Sequence, residues 1–539
     1  MSMRPLSLCL LLALPPCSAL AQTATWRVVA GENAQVLAPD LPAGSFRDLQ
    51  DVLLGDRGAE QIGFRVASPT AQVGYWAFQA GRFQRWAQFG SAGAGGPGRT
   101  GGESAHQFLS FGSDSGDAGS DGQRLLRARA GDPANTAGAS FGIWRWNGQG
   151  NIEIARGGTD GPLGPGLGTD WVFRTNTASF ADAQMLDQGR LLLVGTVVSP
   201  GAIESRLVAR HVPGQGNRPC LRTTAQEPGL SPGLSPGDSF ANFTQGLDRF
   251  VSASTGQVFG LLPISGGGEG LFAICDGAPA ALAVTNRIGA LGPDSGEANT
   301  LFLGFSRLRP SPTQGLLFSA DWRVSGGSTR VGLFQHLNGR NLPIAYNDAG
   351  GQLGPNWQNS TWTAFTALSV ARDWLAYTAN VRTSEGGSAT GLWRQRVGQA
   401  PELVALLSLT ATGYIPEFGR TWRSFDAFAV LANGDIVLNA TTNPDIVRDL
   451  WRLAPGQNPQ RLLSSGQTLS VPTASGPAST SVTSFSLPGD GLPETGRDGW
   501  VGADGQLLVR VNTSSFGSLL ISRRLDVPDP NQVFRNGFE

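Results

Sequence analysis

Lysine is absent: all 40 basic residues of this 539-residue chain are arginine. That excludes a phosphate-loop lysine, a Schiff-base lysine and a lysine general base. Charge is sparse, at 15% of residues, and 41 acidic residues bring the formal net charge to −1. A nucleic-acid or anionic-membrane partner calls for a basic excess, so neither is expected. The histidines, His106, His211 and His336, are far apart in sequence. They offer no metal-ligand spacing, and no metal or cofactor is expected. There is no His-Glu-x-x-His and no phosphate loop, and no catalytic constellation is expected. Beyond the N-terminus no stretch approaches the ~20 apolar residues of a membrane helix.

What is present is turn-forming and apolar. The chain carries 75 glycines, 34 prolines and 14 tryptophans, with 40% hydrophobic residues. Those aromatics need burial, so the chain folds rather than staying disordered. Its length exceeds one hydrophobic core, which leaves several domains or a repeat array. The opening "MSMRPLSLCLLLALPPCSALAQ" has one Arg, an apolar run and Ala19-Leu20-Ala21. It reads as a signal peptide over residues 1–21, making the protein exported, periplasmic or extracellular. Cys9 and Cys17 leave with it. Cys220 and Cys275 remain, either as one disulfide or as two buried thiols.

One phrase recurs. "GIW", "GLF", "GLF", "GLW" and "DLW" begin at Gly142, Gly270, Gly332, Gly391 and Asp449, with further copies at Gly74, Arg206 and Ser518. The period is about 63 residues, giving eight units. Seven residues after the anchor a turn glycine recurs at Gly81, Gly277, Gly339, Gly398 and Gly456. Two of these read Asp276-Gly277 and Asn338-Gly339, strong hairpin signals. Upstream lies an apolar pair three apart: Phe46/Leu49, Phe108/Phe111, Phe180/Ala183, Phe240/Phe243, Phe302/Phe305, Trp362/Phe365, Phe425/Phe428 and Val482/Phe485.

Each unit reads as four short antiparallel strands, apolar on consecutive residues and so covered on both faces. Radially repeated four-stranded sheets make a β-propeller. The expected fold is therefore all-β, one eight-bladed propeller over 22–526, with seven blades as the runner-up if the irregular unit near 158–220 drops out. The last unit lacks a fourth strand after "SLLISRRL" (518–525), and "ATWRVVAG" (24–31) resembles one with nothing before it. An N-terminal strand completing the last blade removes two exposed edges. Residues 527–539 form a tail.

Every unit places a proline between outer strand and next inner strand: Pro42, Pro97, Pro165, Pro236, Pro293, Pro355, Pro416 and Pro477. These loops are expected to gather on one face around the central channel. Trp171, Trp357, Trp362 and Trp422 lie in or near them, either exposed for a ligand or sealing contacts between blades. Asp114, Asp117 and Asp121 sit in an acidic Gly-rich loop without full calcium-loop spacing, and read as turn residues. Cys220 and Cys275 fall in outer strands of adjacent units, which favours the disulfide.

"GLWR" (391–394), "DLWR" (449–452) and "GIWR" (142–145), each followed by a turn and a short apolar strand, resemble the secreted bacterial choice-of-anchor tandem-repeat proteins with Asn-x-x-Gly-x-x-Leu repeats. "ANGDIVL" (432–438) and "ADGQLLV" (503–509) approximate that phrase. The resemblance implies a propeller-like array; no activity is established for that family, so it carries fold and not function. The expected function is a monomeric exported scaffold that binds an unknown protein or glycan on its Pro-containing loop face. The alternative is an extracellular glycan-active enzyme, lyase or hydrolase, with its site at the central channel.

Overall fold

A computed structural model describes residues 26–31, 47–54, 62–67, 73–79, 82–93, 95–118, 123–176, 179–243, 249–253, 256–311, 313, 315–347, 349–407, 416–417, 419–473, 475–488, 500–502 and 505–525. The proposed signal peptide, Phe46, Pro42, Gly81, Asp121 and the tail lie outside them. The described residues form eight antiparallel sheets in chain order: 47–88, 107–156, 172–222, 250–284, 300–346, 361–406, 421–463, and 468–524 joined by Arg27–Gly31. In the fifth, Thr300–Ser311, Gly315–Val324, Arg330–Leu337 and Arg340–Tyr346 pair in sequence order. First strands of successive sheets touch, as 107–118 does 47–54, 361–371 does 300–311, and 421–430 does 361–371. They are the inner strands, and the architecture is an all-β propeller of antiparallel sheets.

Each apolar cluster belongs to a pair of neighbouring sheets. The seven clusters join sheets one and two through seven and eight, in order around the molecule. Strand 517–524 of the eighth sheet contacts strand 47–54 of the first. In the copy of the recurrent phrase at Gly391, Leu392 packs toward the seventh sheet and Trp393 toward the fifth. Consecutive residues therefore serve opposite interfaces, and the centre of the strand is buried on both faces.

The anchor glycine has a steric cause. In five sheets a Cβ on it would meet the ring two residues on: 2.7 Å at Gly74 from Trp76, 2.8 Å at Gly142 from Trp144, 2.8 Å at Gly270 from Phe272, 2.9 Å at Gly332 from Phe334 and 2.6 Å at Gly391 from Trp393. The ring folds back over the glycine and over its small cross-strand partner, Ala128, Ala320 or Ala379 in the second, fifth and sixth sheets. There it meets the first ring of the inner strand edge-on: Phe108–Trp144, Phe240–Phe272, Phe302–Phe334, Trp362–Trp393 and Trp422–Trp451 lie 4.8–5.3 Å apart with planes 76–86° from parallel. Burying one such ring stabilises by roughly 1.5–3 kcal/mol, and the edge contact adds about 1 kcal/mol.

Two anchors shift by one residue from the sequence reading. By pairing register they are Leu207, opposite Gly195 and Arg222, and Leu519, opposite Val511 and Gly31. Residue i+2 is Ala209 in one and Ile521 in the other, so no ring needs the space and the anchor carries a side chain. Asp449 is the anchor of the seventh sheet and is fully buried. Burial raises its carboxyl pKa, against the pull of Arg461 and Arg420.

The three-residue spacing of the inner pair arises from β-bulges. The register slips between Phe108 and Ser110, Phe302 and Gly304, Trp362 and Ala364, and Val482 and Ser484, so two residues separate side chains on one face. In the seventh sheet the same slip, between Trp422 and Ser424, makes the pair Trp422/Phe425 rather than Phe425/Phe428. In the third sheet it is Phe173/Phe180, 4.7 Å apart, rather than Phe180/Ala183. There the inner strand is in two pieces, Val172–Phe173 and Phe180–Met185. Every outer strand is bulged too, and Arg27–Gly31 slips between Val28 and Ala30 just as Arg340–Tyr346 slips opposite Leu333/Phe334. The N-terminal strand thus takes the outer place in the eighth sheet. That sheet gains a fifth strand, Thr468–Thr473, paired with Gly476–Ser486, so Pro477 lies in a strand and not in a loop.

Cys220 and Cys275 form a disulfide, Cα–Cα 4.5 Å, joining the third and fourth sheets. Cys220 is the unpaired bulge residue of Gly216–Arg222. Cys275 lies just past Glu269–Ile274 and has a positive φ (73°), as does Gly277 (130°) but not Asp276 between them; Asn338 and Gly339 both have one, at 52° and 75°.

Two measurements test this account. Gly391→Ala should destabilise by about 2 kcal/mol through overpacking, and in a urea double-mutant cycle Trp393→Leu should recover part of that loss. Cys220→Ser/Cys275→Ser, closing no 55-residue separation, should lower stability by about 2–4 kcal/mol in the same assay.

Candidate functional site

The connecting loops share a device that the proline spacing alone does not reveal. "GPLGP" (161–165), "GALGP" (289–293) and "GQLGP" (351–355) each fold as a 3-10 turn, Gly161–Leu163, Gly289–Leu291 and Gly351–Leu353. The second glycine is buried, and a Cβ there would meet backbone or its own loop at 2.6–2.8 Å. An asparagine from the next sheet's outer strand clasps the first two of these loops, and the loop at Gly96–Pro97 is held the same way. Asn217 Nδ2 donates to Gly164 O (2.8 Å) and Ile154 O (3.1 Å). Asn341 Nδ2 donates to Gly292 O (3.1 Å) and Leu282 O (3.1 Å). Asn151 Nδ2 donates to Gly96 O (2.8 Å) and Trp86 O (2.7 Å). Trp144 and Trp393 add Nε1 bonds to Pro97 O (3.0 Å) and Pro355 O (3.2 Å). These turns are therefore wedged between outer strands and not gathered at the channel, because their buried carbonyls need those donors.

The histidines serve this framework. His211 Nδ1 and Asn217 Oδ1 are 3.1 Å apart, and His336 Nδ1 and Asn341 Oδ1 2.8 Å. Each amide uses its N–H groups on carbonyls, so the imidazole is the donor. Burial lowers the His211 pKa, the Asn217 bond offsets part of this, and Arg145 lowers it further. His106 is different: its Nδ1 accepts from Arg99 (2.9 Å).

Arg99 is the centre of a charge cluster across the second sheet. It donates to Glu153 at 2.7 and 3.0 Å and to Ser140 Oγ at 2.9 Å. Arg156 bridges Glu153 (2.5 Å) and Glu103 (2.9 Å). Burial pushes the Glu103 carboxyl up, but the bond and charge of Arg156, with Arg99 and His106, hold it below its usual range. Arg99 and Glu153 are 3% and 7% exposed, so these groups are committed to one another and tie loop to sheet. The sequence signal was faint: the four residues are spread over 58 positions.

Trp362 and Trp422 are fully buried between sheets. Trp171 and Trp357 are half-buried in the loops. Asp114 and Asp117 fall in strand Gln107–Ala118, and their side chains lie outside the described residues. Exposed groups of the described inner strands are mainly Ser110, Ser306, Thr363, Thr366, Thr483 and Ser484. Asp426 joins them, held by Arg448 (3.0 Å) and Ser424 (2.8 Å).

An open depression of about 470 Å³ lies where the outer strand of the third sheet ends. Arg222, Thr224, Gln226 and Glu227 line it. The Arg222 guanidinium sits 4.8 Å from the Trp171 ring centre, and donates to Glu227 (2.6 Å) and Ser205 Oγ (3.5 Å). The rim is pinned at both ends: Thr224 N–H donates to Phe240 O and Arg222 N–H to Leu230 O, at 2.9 and 3.2 Å. In this loop Pro232 is buried while Pro236 is exposed. "GLSPGLSPG" (229–237) also holds two Gly-x-Ser-x-Gly matches, at Ser231 and Ser235. They lie in a loop between strands, whereas a nucleophile elbow needs a strand-to-helix turn.

No family model and no curated protein matches the chain. Solved structures of similar shape include a polysaccharide lyase family 25 ulvan lyase bound to a GlcA–Rha3S saccharide: 10% identity, 92% of this chain and 95% of that one, TM-score 0.31. The β-propeller domain of the Trilobed protease from Pyrococcus furiosus has 11% identity over 78% and 98%, TM-score 0.31. The WD40 domain of SCAP from fission yeast has 6% identity over 93% and 98%, TM-score 0.38. Likeness this distant says nothing of what this chain does.

Asn217→Ala should cost about 2 kcal/mol, because two buried carbonyls lose their donor. His211 has a lowered folded pKa, so its contribution is complete above the unfolded value of about 6.5 and is lost as pH falls below it. Denaturation of His211→Gln from pH 7.5 to 5 should show a shallower acid loss than the parent chain.

Proposed function

We propose that this chain is an exported binding scaffold in which a closed ring, each of its eight sheets one blade, holds ligand-facing loops rigid. Export rests on the signal-like residues 1–21. The resemblance to choice-of-anchor tandem-repeat proteins fits the same reading, as does a monomer. The observation that carries the proposal is the depression at 222–227, with its rim pinned by backbone bonds and with Thr224, Gln226 and Glu227 exposed around a mostly buried Arg222. The charge cluster around Arg99, by contrast, is spent on holding a loop.

The test is a glycan array and a protein pull-down with the purified mature chain. The expected result is retention of a ligand without turnover. Release of cleaved saccharide would overturn the scaffold reading in favour of a glycan-active enzyme. An experimental density map would count the blades; seven would leave one sheet outside the ring.

A further inference from the structure

We infer that the depression at 222–227 is a subsite for an uncharged saccharide; this deepens the scaffold reading and rests on it. The first ground is preorganisation. Arg222 lies over the Trp171 ring at 4.8 Å and is held at its edge by Glu227 at 2.6 Å. A planar guanidinium fixed on a ring and a carboxylate has lost its rotational freedom before a ligand arrives. The Arg222 side chain is 11% exposed and its Nε is buried, so the donors left for a ligand are the N–H groups of Nη1 and Nη2 that Ser205 and Glu227 do not use.

The second ground is the mixture of groups. Glu227 accepts, Arg222 donates, and the Gln226 amide does both. The Thr224 hydroxyl donates to Thr223 O (2.6 Å), so towards a ligand its oxygen acts as an acceptor. All four fall within six consecutive residues. A vicinal diol matches this set, because each hydroxyl donates and accepts at once. The depression, about 470 Å³, is open to solvent, so a saccharide would lie on it with one face exposed and not be enclosed.

The third ground is charge. Glu227 already neutralises Arg222. A uronate or sulfate would have to displace that carboxylate or lie beside it, and like charges at contact repel. An uncharged sugar meets no such opposition. Trp171 is here a positioning residue, since it acts through the guanidinium it supports.

Calorimetric titration of the full chain with the methyl glycosides of glucose, galactose, mannose and xylose, and with methyl galacturonoside, tests this. At least one neutral glycoside should bind in the millimolar range, and the uronide should not. Glu227 is 58% exposed, so Glu227→Gln should fold normally. It should weaken neutral binding about tenfold and let the uronide bind, because Arg222 is released. Gln226→Ala should weaken neutral binding without admitting the uronide. Preference for the uronide by the parent chain overturns the inference. So does neutral binding that Glu227→Gln leaves unchanged, or no glycoside binding at all. Those failures leave the scaffold reading standing if the pull-down holds a ligand, whereas turnover of a glycan defeats that reading whatever Glu227→Gln does.

Discussion

A ring folded back over a glycine is the contact on which the molecule depends. In the third strand of five sheets the aromatic two residues after the anchor occupies the space a Cβ would take, 2.6–2.9 Å away. That placement brings it edge-on to the first ring of the inner strand and leaves the intervening residue to face the opposite neighbour. One tripeptide therefore fills two interfaces. The departures at Leu207 and Leu519 obey the same volume rule, whereas Asp449 keeps a side chain with Trp451 two residues on. Leu207 stands opposite Gly195, with the small Ala209 two residues on, so bulk moves from one position to the other.

The loops follow from this core. A sheet apolar on both faces leaves its connections to cross between outer strands, where buried carbonyls need donors. Asn151, Asn217 and Asn341 supply them, and His211 and His336 orient two of the three. The loop after the third sheet lacks the Gly-x-Leu-Gly-Pro turn and carries a longer "GLSPGLSPG" segment. That is where the open depression lies. Departure from the repeat, and not the repeat itself, marks the candidate site.

Much of the architecture was legible because packing repeats at fixed spacing. Six of the eight anchors and five of the eight inner pairs were found from residue type alone, and the strand at Arg27–Gly31 from its likeness to an outer strand; by register two anchors and two pairs lie elsewhere, and Phe46 lies outside the described residues. The pair Phe173/Phe180 was missed because six intervening residues replace the usual two. The Asn clasp was missed because its partners are backbone carbonyls of other units, and a carbonyl has no sequence signature. The Arg99 cluster was missed because its members share no motif.

The sequence by itself determined the class of fold. Period, turn glycines and doubly apolar strands are local properties, and each unit repeats them because each must cover the same two faces. The tertiary structure decided where the loops lie and which polar groups remain available. Trp362 and Trp422 are sealed between sheets, Trp171 supports a guanidinium, and Glu227 stands exposed beside it. These differences depend on residues about 50 positions apart meeting across a seam, and no local pattern encodes that meeting.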